Sequence, residues 1–498
     1  MTKINFTKSI LLFICLLGFA KAEAQFSQTG KIVSDNRESR AEYGTSVAIT
    51  QDYAIVGASR ETIASGAAYV YNKDGQGNWA YAQRLAATDP NEGAEYGGGV
   101  KFSEDFLVVA AGRANIDAVQ RAGALYVYDH INNNWEFSTK LVAADFSDDA
   151  KLGMNPTSLD VAGNTIVAGA PGDNLWTGSV YVFTKVGGVW TETQKIFSPT
   201  PQASDVFGIG VSISGDYLVI GANEVAGRKG AAYVYLKNSN GQYEYVQTLM
   251  ASDAANDDFF GTSVSIASDQ MVVGAYGANA EQGAAYVFER NGQGVWEEVQ
   301  KLVGNPSGEG TQFGWSTDIQ QSHIIVSAPH IFGFEAGEIY HYKREGSGSW
   351  EENQIIQGAD TVEEDFYGWS IAMHETQLIA GAPWEDHDEN GGNEIDRAGS
   401  AYIFSDPALL GVSQYGNTDS LVQLFPNPSS GLVNLKSNTK TIADLEIYGM
   451  AGNLLQNFES IKQNFYSINI SDFSTGVYFV RIHFEDGSST NHKIVKSN

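Results

Sequence analysis

An apolar residue followed by glycine recurs seven times at a nearly constant interval. The copies are Tyr43-Gly44, Tyr96-Gly97, Leu152-Gly153, Phe207-Gly208, Phe260-Gly261, Phe313-Gly314 and Tyr367-Gly368, spaced by 53, 56, 55, 53, 53 and 54 residues. A fixed period of this size dictates architecture, because each unit must bury a face against the next. About 13 residues after each glycine comes a second mark, such as Gly57-Ala58, Gly169-Ala170-Pro171 or Gly381-Ala382-Pro383, with alternating residues between, as in SVAITQDYAIVGA. That alternation is the signature of a β-hairpin. A third mark, a glycine opening a β-branched and aromatic run, appears as Gly66-AAYVY, Gly230-AAYVY and Gly399-SAYIF; six copies then add a fourth strand opened by Trp or Tyr. Each unit is therefore four antiparallel strands.

The seventh copy has no fourth strand of its own. The stretch FSQTGKIVSDNRESRAEYG, from Phe26 to Gly44, parallels WAYAQRLAATDPNEGAEYG, from Trp79 to Gly97. The first strand of the chain is thus expected to complete the last unit, which closes a ring and removes the exposed edges of an open array. The expected fold is all-β: a seven-bladed β-propeller of four-stranded blades over residues 25–405.

At these marks the chain resembles the FG-GAP repeat family, the propeller unit also found in integrin α-subunits. DVFGIGVSISGDYLVIGA and DDFFGTSVSIASDQMVVGA carry its bacterial pattern. Residues that recur in every unit read as scaffold, since glycines permit turns and close packing and aromatics wedge between sheets. Function is expected instead where the copies differ, on the face that carries the long loops after the second strand and between blades.

The longest such loop, WEDHDENGGNEIDRAG, places Asp386, Asp388, Asn390 and Glu394 at a spacing that resembles a calcium loop; Gly391 supplies the bend. Arg397 stands where an EF-hand carries its bidentate glutamate, and a solvated acidic turn is the alternative reading. Ca²⁺ is the one cofactor the sequence suggests. Unrepeated aromatics at Trp176, Tyr276, Phe332, Phe334 and Trp384 are candidates for stacking on sugar rings or anchoring a protein partner, with loop packing as the plain alternative. The histidines are scattered without zinc spacing, and neither a nucleophile elbow nor a phosphate loop appears.

Residues 1–24 read as a secretory signal, with Lys3 and Lys8 before an apolar stretch and Ala22-Glu23-Ala24 at its end. The apolar stretch is too short to span a bilayer, and no later segment reaches transmembrane length. The lone cysteine, Cys15, falls inside the signal, so the mature chain has neither disulfides nor thiolate sites. Formal charge is −29, and loss of the signal, which carries a net two positive charges, takes it to −31. A body this acidic excludes nucleic acid and anionic membrane surfaces as partners.

After a linker near 406–420 the repeat gives way to short strands separated by Pro-Asn-Pro, Gly-Asn and Asp-Gly turns, a pattern that suggests a small Ig-like β-sandwich over 421–498. This tail resembles the type A C-terminal sorting domain of the type IX secretion system of Bacteroidetes at Phe425-Pro426-Asn427-Pro428, Gly431, Ile447-Tyr448, Gly452, Gly476-Val477-Tyr478-Phe479 and Lys493-Ile494-Val495-Lys496. The resemblance implies a partner, the type IX machinery, and a secreted or cell-surface destination. The expected function is a non-enzymatic binding or adhesion protein with a glycan or protein ligand on the loop face. A secreted polysaccharide-active or other hydrolase, resting on fold analogy, and a structural surface component are the alternatives.

Overall fold

The computed structural model describes residues 25–406 apart from 76, 104, 133, 305–309 and 334, and residues 422–496 apart from 426–428, 430, 438–439, 450–453, 459, 475 and 486–488. The signal over 1–24, nearly all of the 406–420 linker and Phe334 therefore lie outside the described residues. The chain divides into two compact units, 1–411 and 412–498.

In the first unit, seven four-stranded antiparallel sheets follow one another as blades. Blade 1 runs outward through Tyr43–Ile49, Tyr53–Ala58, Ala67–Lys73 and Trp79–Leu85, strands A to D. The A strands of the other six are Tyr96–Phe102, Leu159–Ala162, Gly210–Ser214, Val264–Ala267, Thr317–Gln320 and Ser370–His374. Each A strand packs beside the next, and the last packs against Tyr43–Ile49, so the ring is closed. Blade 7 takes its outer strand from the N-terminus: Ser27–Ile32 pairs antiparallel with Ser400–Ser405, Ile32 opposite Ala401. The closure is buried, with Val47, Val56 and Tyr69 of blade 1 sharing a core with Ile379 and Ile403 of blade 7.

The repeated residues are the parts that let sheets meet. Tyr96 is fully buried, and its backbone lies against Gly66 of the preceding blade, where an added Cβ would sit 2.0 Å from the Tyr96 carbonyl oxygen. Gly66 also has φ +85°, so no side-chain-bearing residue fits there without strain. The same meeting recurs around the ring through Gly399 and Tyr43, where the first and last blades join.

Strand A exposes an unpaired edge toward the axis, and side chains of the preceding blade cover its N–H groups. Asp160 accepts from Ile213 at 2.9 Å, Ser212 from Ile266 at 3.2 Å, Ser265 from Ile319 at 3.3 Å and Asp318 from Met373 at 2.8 Å. These bonds blunt what would otherwise be a pairing template.

The second unit is a small β-sandwich. A three-stranded sheet of Val422–Phe425, Leu432–Ser437 and Phe465–Asn469 faces a four-stranded one ordered Leu454–Phe458, Ile442–Gly449, Gly476–Phe484, Ser489–Lys496. Alternate residues such as Val433, Leu435, Ile447, Val480 and Ile482 fill the space between.

An aromatic arc on the loop face

Every blade enters strand A through a residue in the left-handed region, just before the repeated apolar-Gly pair. These residues are Glu42, Glu95, Lys151, Val206, Phe259, Gln312 and Phe366, with φ between 53° and 59°. The backbone is therefore uniform there and the chemistry is not. Phe259 and Phe366 are aromatic, and so are two residues just past the glycine, Trp315 and Trp369. The loops after strand B emerge on the same face and add Tyr276 and Trp384.

Together these six rings form one continuous arc across blades 5, 6 and 7. Phe259 stacks on Tyr276 with centroids 4.8 Å apart and planes within 8°. Tyr276 meets Trp315 at 5.2 Å, Trp315 meets Trp369 at 4.9 Å, Trp369 meets Phe366 at 6.0 Å, and Phe366 meets Trp384 at 4.1 Å. Both ends are capped by cations: the Arg228 guanidinium lies 5.5 Å from the Phe259 centroid and that of Arg397 lies 3.5 Å from Trp384. Such contacts hold a ring in place through its quadrupole. Phe366 is buried; the other five rings are partly exposed.

Blades 1 to 3 carry charge at the matching places. Arg60 lies 3.1 Å from Glu42 and 3.8 Å from Glu95, and Arg113 reaches Glu95 at 3.1 Å. The Lys151 ammonium sits 4.0 Å from the Trp176 centroid, and burial lowers its pKa despite nearby Asp149. Beneath the arc, burial pushes the Asp365 carboxyl up to about 7, helped by Glu385 and Asp386.

Of the five aromatics singled out by sequence, Tyr276 and Trp384 belong to the arc. Trp176 stands apart on a cavity of about 380 Å³ shared with Val206 and Ile209. Phe332, 67% exposed, lines a larger cavity of about 750 Å³ that also touches Phe259 and Tyr276. Four arc residues, Phe259, Trp315, Phe366 and Trp369, escaped the sequence reading. The signal was present as a departure from the repeat on either side of the apolar-Gly pair.

The Asp386–Glu394 loop is built around Asp388. One Asp388 oxygen accepts the backbone N–H groups of Asn390 and Gly392, both at 2.9 Å, and the other takes the Asn393 amide; these bonds hold its pKa low. Asp386 accepts from the Arg397 N–H at 2.6 Å, the Asn390 amide turns to Glu389 at 3.1 Å, and Glu394 is exposed. Among the described residues no three His, Cys, Asp or Glu side chains are grouped to hold a metal. The structure does bring together two histidines that the sequence left scattered: His323 and His341 lie 2.8 Å apart in blade 6, and burial lowers both pKa values, to about 4 and about 3.

An FG-GAP repeat family model matches residues 26–71, 79–128, 190–235, 243–288 and 350–404, and a secretion-system C-terminal sorting domain model matches 423–497. The chain is an FG-GAP repeat protein with a type IX sorting domain. Each FG-GAP match begins on an outer strand or the residue before it, at Phe26, Trp79, Trp190, Tyr243 and Trp350. The first match thus opens on the strand that completes blade 7. The copies between the matches fold into the same four-stranded sheets. No curated protein matches the chain. A solved protein from Lactobacillus plantarum aligns over 84% of this chain and 100% of its own, at 10% identity and a TM-score of 0.40. The sorting domain supports type IX export to the cell surface or beyond, and among the described residues no helix is long and apolar enough to cross a membrane.

Proposed function

We propose that this FG-GAP protein is an exported, non-catalytic binding protein whose ligand lies along the aromatic arc. One observation carries the reading: six rings run unbroken over three consecutive blades, and at the left-handed position that Phe259 and Phe366 occupy, the blades outside the arc hold Glu42, Glu95, Lys151 and Val206. Scaffold residues recur in all copies, whereas these rings do not, so ring closure does not call for them. Partly exposed aromatic faces on a rigid frame contribute large contact area at small entropic cost. They supply surface rather than a nucleophile or a base.

The test uses the full secreted chain on immobilised glycans and on candidate partner proteins. The W315A/W369A double variant is expected to lose binding at least tenfold, while Asp52→Ala, on the opposite face, binds as wild type. Thermal melting of both variants checks that the propeller is intact. Wild-type affinity in the folded double variant, or turnover of a bound polymer, overturns the reading.

A further inference from the structure

The cavity of about 750 Å³ beside blade 5 shares Phe259 and Tyr276 with the arc, so the two form one continuous surface. We infer that this cavity holds sugar units of a neutral glycan whose chain continues along the arc. The inference rests on the binding reading and names its ligand class.

Three features of the cavity select for a neutral polyol. Its volume is that of a small-ligand site rather than of a flat protein interface. Its walls combine ring surfaces, Phe332, Tyr276 and Phe259, with a dense set of polar groups of both kinds, as the apolar faces and hydroxyl rims of a pyranose require. Two of those polar side chains, the Asn256 amide and the Glu281 carboxylate, are exposed and make no side-chain hydrogen bond among the described residues, which leaves them to meet hydroxyls.

Charge argues against an anionic sugar. Both cations of the cavity are already engaged, Arg228 with Asp257 at 2.6 Å and Lys301 with Asp253 at 2.6 Å. Asp258 and Glu281 add two further carboxylates, so a uronate or sulfate would approach net negative charge. The exposure of Phe332 matters as well. A ring that is 67% exposed contributes little to folding and is available to a ligand.

The experiment measures affinity of the full chain for immobilised neutral hexose oligomers and uronic-acid oligomers of matched length. Phe332→Ala and Glu281→Ala are each expected to weaken neutral-oligomer binding about tenfold, the scale of one stacking or hydrogen-bonding contact. Melting temperatures should stay unchanged. Trp369→Ala separates the two claims. Loss in Trp369→Ala with wild-type affinity in both cavity variants overturns the cavity inference and leaves the arc reading standing; wild-type affinity in all three overturns both. Preference for uronic-acid oligomers overturns the neutral class. Failure of every glycan to bind, with capture of a protein partner through the arc, overturns the glycan class.

Discussion

Gln354 of blade 6 and Phe26, which leads into the N-terminal strand of blade 7, are joined by two hydrogen bonds: the Phe26 N–H donates to Gln354 Oε1 at 2.8 Å, and Gln354 Nε2 donates to the Phe26 carbonyl at 2.8 Å. The same reciprocal pair links Gln83 to Trp135, Gln194 to Tyr243, Gln247 to Trp296 and Gln300 to Trp350. In each, an outer-strand glutamine satisfies the backbone of the residue that opens the next outer strand. Phe26 therefore occupies the place that Trp or Tyr holds elsewhere, and the N-terminal strand is locked to blade 6 by the device that joins ordinary neighbours.

Removing that device should loosen closure. Gln354→Ala is expected to cost about 1–3 kcal/mol, because it leaves a partly buried N–H and C=O without partners. Urea unfolding measures it, with Gln247→Ala as the reference at an interface where the chain is continuous. A loss at Gln247 with none at Gln354 would show that the terminal strand does not bear on closure.

Among the described residues two interfaces lack the clamp, blade 2 to blade 3 with Thr139 in its place and blade 7 to blade 1 with Gly30, and the second can be given it. Gly30 pairs with Ile403 as Gln247 pairs with Val234, so it stands in the clamp register facing blade 1. A Cβ added there meets nothing within 4 Å, and its φ is not left-handed. Gly30→Gln is expected to stabilise the propeller by about 1 kcal/mol through new bonds to the Trp79 backbone. An unchanged or lowered unfolding midpoint would refute the proposed register.

These clamps show why so much of the fold was legible and so little of the site. Glutamine and the opening aromatic recur, as do the glycines at close backbone contacts, and recurrence across seven copies is visible in one sequence. Even the displaced strand could be read, since FSQTGKIVSDNRESRAEYG parallels WAYAQRLAATDPNEGAEYG. The arc left a weaker trace. Trp315 and Trp369 abut the repeated glycine and look like part of the mark, whereas Tyr276 and Trp384 stand in variable loops and were found. The pairing of His323 with His341 depends on a strand register that no local pattern encodes.

The turns at the tips of four loops were illegible for a different reason: their residues oppose the local preference. Ile63 has φ 56° and ψ 44°, and Leu175 and Ala280 hold the same place in their blades, while blade 4 has Gly227 there. A β-branched residue in the left-handed region is strained by about 1–2 kcal/mol. Ile63 is 76% exposed, so little packing is lost with its side chain. Ile63→Gly is therefore expected to raise the melting temperature, against the usual cost of glycine. A fall would mean that the side chain contributes contacts outweighing the strain.

Calcium is tested directly at the Asp386–Glu394 loop. The oxygens of Asp388 are already taken by N–H donors from Asn390, Gly392 and Asn393. We expect chelator and millimolar Ca²⁺ to leave the melting temperature unchanged, because both Asp388 oxygens already accept N–H donors of the loop. A Ca²⁺-dependent rise, abolished in Asp388→Ala, would establish the metal site, since a ligand that binds only the folded state must stabilise it.

Asp365 makes stability depend on pH in the direction opposite to an ion-paired carboxylate. Its side chain accepts the Val362 N–H at 2.7 Å from a buried position facing Glu385 and Asp386, with Lys31 the nearby opposing charge, and its pKa rises to about 7. An unfolded aspartate titrates near 4. Between about pH 4 and 7 the folded state therefore holds more protons, and stability falls as pH rises through that window. Asp365→Asn keeps an acceptor for Val362 but cannot ionise. The variant is expected to match wild type at pH 4 and to melt progressively higher than wild type from pH 4 to 7, the gap then holding to pH 8. Thermal melts across that range decide it; a gap that is absent, or constant with pH, would place the Asp365 carboxyl in the ordinary range.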